Sequence, residues 1–148
     1  MTYLKPDEFY FQFLKMIKKK LNTILLIDDD KNDNFYHERE IIKANPGLSV
    51  ITKTSGMEAL EYLKSNQSKP DLIFLDINMP IWDGWAFLLE YSQLDKDIQD
   101  GIIIMVLTSS RNPTDELRAK AWGFVSGFII KPLSKEIMAN IIVKYFGE

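Results

Sequence analysis

Short, uninterrupted apolar runs recur along the chain. Three of them, Ile24–Ile27, Leu72–Leu75 and Ile102–Leu107, contain only apolar residues. Runs of this length without polar residues are typical of strands that are buried on both faces of a parallel sheet. Two more segments rich in β-formers, Leu48–Thr52 and Val125–Ile130, bring the number of predicted strands to five.

Each predicted strand is followed by a segment whose apolar residues recur on one face of a helix. The first helix is predicted to start at a cap, Asp33 or Asn34, and to continue to about Ala44. The later helices are predicted to start at Ser55, after Gly84, at Asn112 with Pro113 as the first helical residue, and at Ser134. Five strand–helix units in succession predict an α/β fold, a (βα)5 doubly wound sheet of five parallel strands.

The first 21 residues precede this pattern. Phe9, Phe13 and Ile17 recur at four-residue spacing among several lysines, which predicts a short amphipathic helix. Residues 1–21 are therefore interpreted as an N-terminal extension and residues 22–148 as one domain. A helix that docks a partner or forms a dimer is one reading of the extension. A helix packed on its own domain, or a frayed tail, is the simpler reading and is favoured.

Composition narrows the class of protein. The chain has 148 residues, a net charge of −3 and no cysteine. Disulfides, thiolate metal sites and cysteine nucleophiles are thereby excluded, and the charge gives no reason to expect nucleic-acid binding. No apolar run approaches membrane-spanning length, and no signal peptide is apparent. A cytoplasmic protein without a membrane partner is expected, and no second domain is expected after the last strand.

Polar residues stand where the predicted strands end. Asp28 and Asp29 follow the first strand, Asp76 the third, Thr108 the fourth and Lys131 the fifth. In an open parallel sheet, ligands bind outside the carboxyl ends of the strands, where the winding reverses. With the flavodoxin-like strand order 2-1-3-4-5, the first and third strands are neighbours at that point. The three aspartates are therefore expected to face one another.

Three carboxylates in one crevice require a cation. Each like-charge pair at a few ångströms costs on the order of 4 kcal/mol near a protein surface. Oxygen ligands without histidine or cysteine favour a hard ion, and carboxylates that share it with water suit Mg²⁺. Lys131 adds an ammonium group and Thr108 a hydroxyl donor. This set is what phosphoryl transfer to an aspartate requires.

These motifs, in this order, resemble the response-regulator receiver domain, the phosphoacceptor half of two-component signalling. The resemblance covers about Asn22 to Phe146. The matching segments are Ile24–Asp29, Asp71–Pro80, Asp83-Gly84, Val106–Ser109 and Gly127–Pro132. The resemblance implies a protein that is not an enzyme in the ordinary sense, because it catalyses only its own phosphorylation and slow dephosphorylation.

The resemblance also assigns roles to residues. Asp76 would be the phosphoacceptor, Asp29 would bind Mg²⁺ directly and Asp28 would bind it through water. The backbone carbonyl of Asn78 would complete the metal ligands from the protein. Asp30 is an additional acid beside the usual pair, and it is expected to point to solvent or to cap the following turn.

Signalling residues follow from the same resemblance. Thr108 and Lys131 would bind phosphoryl oxygens, and Phe128 occupies the aromatic switch position, which rotates as Thr108 is drawn towards the phosphoryl group. Phenylalanine lacks the hydroxyl of tyrosine, so such a switch would work by packing alone. His37, on the first predicted helix, is interpreted as a surface residue and not as a phosphodonor.

The implied function is a stand-alone receiver. It would take a phosphoryl group from the phosphohistidine of a sensor kinase or phosphotransfer protein. It would then signal to an unknown downstream protein through the fourth helix, fifth strand and fifth helix. The alternative is an adaptor with a receiver fold that works without phosphorylation. A hydrolase is disfavoured because Asn78 offers no general base, and flavin binding because acids occupy the loop after the first strand.

Overall fold

A computed structural model of the chain describes residues 19–65 and 67–147. Its five strands are β1 (Thr23–Ile27), β2 (Ser49–Lys53), β3 (Leu72–Leu75), β4 (Ile103–Thr108) and β5 (Val125–Ile130). Its helices are α1 (Lys31–Ala44), α2 (Gly56–Lys64), α3 (Gly84–Ser92), α4 (Pro113–Lys120) and α5 (Lys135–Tyr145), with a four-residue helix, Lys96–Gln99, between α3 and β4.

The strands form one parallel sheet in the order β2-β1-β3-β4-β5. The predicted fold class and strand order are therefore confirmed. β1 and β3 lie side by side in the sheet, with Ile27 opposite Leu75. The residues that follow these two strands, Asp28 and Asp76, therefore leave the same edge of the sheet at neighbouring positions.

Helices cover both faces of the sheet. Alternate strand residues such as Leu26 and Phe74 pack on one face against α1 and α5, through Ile41 and Met138. Their sequence neighbours pack on the opposite face in a second cluster, whose members include Leu25, Ile73, Leu60 and Phe87. β3 is buried along its whole length, as its apolar sequence predicts. The strand that carries Asp76 is thus fixed from both sides.

The helix starts agree with the sequence in most cases. Ser55, Asn112 and Ser134 each accept a backbone N–H bond as helix caps. The start of α1 was predicted too late, because the cap is Asp30, whose side chain accepts from the backbone N–H groups of Asn32 and Asp33. The expectation that Asp30 caps the next turn is thereby confirmed.

The predicted N-terminal helix lies, up to residue 18, outside the described residues. Lys19, Lys20 and Leu21 are described and belong to neither a helix nor a strand. Leu21 is buried in the cluster between the sheet, α1 and α5. Within residues 19–65 and 67–147, no helix has the length and apolar character needed to cross a membrane.

Candidate functional site

Asp28 is held at the carboxyl end of β1 by its backbone. Its N–H donates to the carbonyl of Lys53 at 3.1 Å, and its own carbonyl accepts from Asn34 Nδ2 at 2.9 Å. One carboxylate oxygen, Oδ1, accepts from the N–H of Asp30 at 2.9 Å. The other oxygen is left to face the neighbouring strand end.

Asp76 is positioned in the same way at the end of β3. Its N–H donates to the carbonyl of Ile27 at 3.0 Å, and its Oδ1 accepts from the N–H of Asn78 at 3.0 Å. Gly84, the first residue of α3, approaches this backbone closely. A Cβ atom there would lie 2.7 Å from the Asp76 carbonyl oxygen and 2.6 Å from Ile77 Cα. The absence of a side chain at Gly84 thus allows α3 to begin directly behind the aspartate.

Asp28, Asp29 and Asp76 form one acidic cluster. An oxygen atom from each lies within 4.8 Å of the others; Asp28 and Asp76 are buried, whereas Asp29 is exposed. The predicted convergence of these three carboxylates is therefore present in the structure. Three oxygen donors, one of them open to solvent, suit a hard divalent cation that keeps part of its water shell.

Lys131 extends from the end of β5 into this cluster. Its Nζ donates to Asp28 Oδ2 at 2.6 Å, to Asp76 Oδ2 at 3.0 Å and to Asp33 Oδ2 at 2.7 Å. Its N–H donates to the carbonyl of Thr108 at 2.8 Å, which continues the ladder to β4 beyond the strand. The side chain is only 12% exposed, so Lys131 is not a solvated surface lysine.

Burial and neighbouring charges have opposite effects on the pKa values of Asp28 and Lys131. Burial raises the pKa of Asp28 to about 6, although its bond to Lys131 opposes the rise. Burial alone would lower the pKa of Lys131, but its hydrogen bonds to Asp28 and Asp33 and the charge of Asp76 raise it overall. The ammonium group is therefore charged throughout the physiological range, and it partly neutralises an excess of negative charge.

Thr108 is linked to the acidic cluster through Asn78. Thr108 is fully buried as the last residue of β4. Its Oγ1 accepts from Asn78 Nδ2 at 3.3 Å and from the N–H of Ser110 at 3.2 Å. Asn78 in turn follows Asp76 by two residues and donates its N–H to that carboxylate. Asn78 thus contacts both the Thr108 hydroxyl and the Asp76 carboxylate.

Phe128 lies on β5 beside the same loops. It is half-buried and packs against the cluster of Ile77, Val106 and Ala119. This cluster combines a residue of the loop after β3, a residue of β4 and a residue of α4. Phe128 therefore packs where these three elements meet.

Sequence reasoning missed three residues of α1 beside the cluster. Asp33 binds Lys131, and Asn34 holds the backbones of Asp28 and Lys53. His37 is 3% exposed, so its interpretation as a surface residue is wrong. The signal lay in the helical spacing, since Asn34, His37 and Ile41 share one face and are all buried.

Comparisons with known proteins agree with this geometry. The family model "Response regulator receiver domain" matches residues 24–143. The chain is 33% identical over 122 residues to the sensor histidine kinase CheAY of Helicobacter pylori, covering 80% of this chain and 14% of that protein. The chain spans only about half the length of several other curated relatives, among them the transcriptional regulatory protein PrrA of Mycobacterium tuberculosis.

Solved structures match over most of the fold. A two-component response regulator from Cytophaga hutchinsonii has a TM-score of 0.76 at 30% identity, covering 88% of this chain and all of that one. The phosphorylated cyanobacterial phytochrome response regulator RcpA has a TM-score of 0.72 at 29% identity, covering 84% and 94%.

Proposed function

Because this chain belongs to the response regulator receiver family, we propose that it accepts a phosphoryl group on Asp76 from a phosphohistidine. The donor would be a sensor kinase or a histidine phosphotransfer protein. The observation that carries the proposal is the contact of one ammonium group, Lys131 Nζ, with Asp76 and Asp28 at 3.0 and 2.6 Å. This contact supports the proposal, because phosphoryl oxygens bound at Asp76 would need a fixed positive charge beside them.

The acidic cluster fits Mg²⁺. Asp28, Asp29 and Asp76 supply carboxylate oxygens within 4.8 Å of one another, and Asp29 is open to water. The backbone carbonyl of Asn78, which follows Asp76 in the same loop, would add a further oxygen. Bound there, Mg²⁺ would neutralise charge on the acidic side chains and on the phosphoryl oxygens. The protein's own part is to hold these oxygens in place.

The chemical step is a transfer between two nucleophiles. An Asp76 carboxylate oxygen forms a bond to phosphorus while the bond between phosphorus and the donor imidazole nitrogen breaks. The imidazole leaves with the electron pair of that bond. Asp76 Oδ1 is oriented by the N–H of Asn78 and Oδ2 by Lys131, so both oxygens are positioned by the protein.

The signal would pass through Thr108 to the surface formed by α4, β5 and α5. The Thr108 hydroxyl already bonds Asn78 beside the phosphoacceptor. A phosphoryl oxygen would accept a hydrogen bond from this hydroxyl and draw the loop after β4 towards Asp76. Phe128, which packs against the cluster of Ile77, Val106 and Ala119, would repack in response. A downstream protein would read this changed surface.

Phosphorylation with a small donor tests the proposal. The protein is incubated with Mg²⁺ and acetyl phosphate, and its intact mass is measured before and after base treatment. We expect one base-labile phosphoryl group on the wild-type chain and none on the Asp76→Asn variant. An unmodified wild type, or equal modification of Asp76→Asn, would contradict the assignment and favour the adaptor function.

Lys131 is expected to matter more for the response than for the transfer. In Lys131→Ala, the ammonium contact to Asp28 and Asp76 is lost while the carboxylates remain. We expect phosphorylation by acetyl phosphate to persist. We expect the conformational change that phosphorylation causes in α4 and β5 to disappear. Amide chemical shifts of α4 and β5 with and without phosphodonor measure that change. A wild-type pattern of shifts in Lys131→Ala would remove Lys131 from the signalling role.

A further inference from the structure

An apolar groove separates β5 from α5 on one side of the sheet. We call it the β5–α5 groove; it has a volume of about 240 Å³. Gly127 and Ile129 line it from the strand, and Ile137, Ile141 and Tyr145 line it from the helix. Among the described strands, β5 pairs with β4 alone, so the groove lies at an open edge of the sheet.

Lys19, the first described residue, lies near the end of this groove that Tyr145 lines. The carbonyl of Lys19 accepts from the N–H of Gly147 at 3.3 Å, two residues after the end of α5. Leu21 is buried in the same cluster as Phe146 and as Ile141, which lines the groove. Residues 1–18 therefore join the domain within a few residues of Tyr145, on the side of the sheet that the groove occupies.

The sequence of residues 1–18 matches the groove in length and character. Phe9, Phe13 and Ile17 recur at four-residue spacing, which is the spacing of one helix face. Phe9 and Ile17 are eight residues apart, as are Ile137 and Tyr145 on α5. At a rise of about 1.5 Å per residue, both stretches span roughly 12 Å in helical form. The three apolar side chains of this segment can thus align with the three apolar residues of α5 that line the groove.

We propose that residues 1–18 dock in the β5–α5 groove of their own molecule, with Phe9, Phe13 and Ile17 against Ile137, Ile141 and Tyr145. The docked segment covers part of the surface that a downstream protein would contact. Such a partner must then displace the segment, so residues 1–18 and the downstream protein compete for the same surface. The docking does not depend on phosphorylation of Asp76, so the two proposals can fail separately.

Disulfide trapping tests the docking in the full chain, because the protein has no cysteine of its own. In the test variant, Gln12→Cys is combined with Asn140→Cys, an exposed groove residue, and all three apolar anchors are retained. The matched control combines Gln12→Cys with Met57→Cys; Met57 is also exposed but lies on α2. Both proteins are oxidised with copper–phenanthroline at low concentration without Mg²⁺ or phosphodonor.

We expect an intramolecular disulfide in the Asn140 pair to form at least about tenfold faster than in the Met57 pair, because docking raises the local concentration of the two thiols. Adding Phe9→Ser and Phe13→Ser should reduce the rate of the Asn140 pair to that of the control. Equal rates in the two pairs would overturn the proposal. So would a product of twice the 17.2 kDa chain mass, since a second copy would then occupy the groove.

Discussion

Lys131 shares one ammonium group among three carboxylates, from Asp28, Asp33 and Asp76. Asp29 adds a fourth acid, with a carboxylate oxygen within 4.8 Å of those of Asp28 and Asp76. One positive charge thus faces four negative ones. Such an excess stores repulsion that a divalent cation relieves, and this repulsion is the physical origin of the expected affinity for Mg²⁺.

Neutralising one acid should therefore stabilise the protein and weaken metal binding at the same time. For Asp29→Asn, we expect the free energy of unfolding in metal-free buffer to rise by about 1 kcal/mol, since a like charge is removed from the cluster. We expect millimolar Mg²⁺ to stabilise the wild type, and this stabilisation should largely disappear in the variant, because a ligand stabilises only the state that binds it.

Urea unfolding with EDTA or with Mg²⁺ measures both effects of Asp29→Asn. Asp97→Asn is a suitable control, because Asp97 is an exposed acid on the four-residue helix, away from the cluster. A loss of stability in Asp29→Asn without metal would contradict the charge argument. Undiminished stabilisation by Mg²⁺ would remove Asp29 from the metal ligands.

The connection of β3 to α3 is the element that positions Asp76. Asp83 caps α3 by accepting from the N–H of Ala86, and Gly84 donates its N–H to the carbonyl of Ile77 at 3.2 Å. Both contacts bring the start of the helix against the backbone behind Asp76. The position of the carboxylate therefore depends on a close approach that only glycine permits.

A methyl group at Gly84 should disturb this approach. In Gly84→Ala, the Cβ atom would lie 2.6 Å from Ile77 Cα, and this neighbour is backbone that cannot rotate away. We expect a loss of about 1–3 kcal/mol in the free energy of unfolding, the usual range for overpacking. Chemical denaturation measures it, with Gly123→Ala as the control, because a Cβ at Gly123 would meet nothing within 4 Å. Equal stability of the two variants would show that the loop shifts freely.

The elements themselves were largely predictable from sequence. β3 is an uninterrupted apolar run that the structure buries completely, and Ser55, Asn112 and Ser134 cap their helices as predicted. The start of α1 was less predictable, because Asp30, Asp33 and Asn34 are all good cap residues. Tertiary contacts decide among them: Asp33 binds Lys131, and Asn34 bonds the backbones that follow β1 and β2.

The site was predictable only where strands deliver residues to it. Asp28, Asp76, Thr108 and Lys131 stand at strand ends, so the sheet order alone brings them to one edge. His37 reaches the interior through the rotation of α1, which its polar character argued against. Burial lowers the pKa of His37, and the charge of Lys131 lowers it further, so the ring is neutral at physiological pH.

At the scale of the whole molecule, the two ends of the strands carry different groups. The acidic cluster lies at their C-terminal ends, whereas the buried acid Asp71 lies at their N-terminal ends. Its Oδ2 accepts from the N–H groups of Asn22 and Thr23, and its Oδ1 pairs with Lys19 at 2.6 Å. Burial alone would raise the pKa of Asp71, but these bonds lower it below 3.8 overall. Asp71 thus links residues 19–23, at the start of the described chain, to the start of β3.

The lowered pKa makes this contribution to stability depend on pH. A carboxyl whose pKa is lower in the folded state stabilises the fold above its unfolded pKa, and the contribution is lost as pH falls through the folded value. We expect Asp71→Asn to be less stable than the wild type by about 1–3 kcal/mol at pH 7. The difference should begin to shrink as pH falls below about 3.8. Urea unfolding of both proteins between pH 7 and pH 2.5 measures it, and a difference that is constant throughout would refute this role.

The bond between Lys19 and Gly147 brings the two ends of the fold together at the edge opposite Asp76. A domain whose entry and exit are neighbours can be inserted into a longer polypeptide as a loop, with little strain on either flank. Whatever is fused to such a domain leaves from the far side of the sheet and does not crowd the carboxylates. The same fold can thus be inserted into larger proteins of different architecture, with Asp76 at the end of the sheet away from both connections.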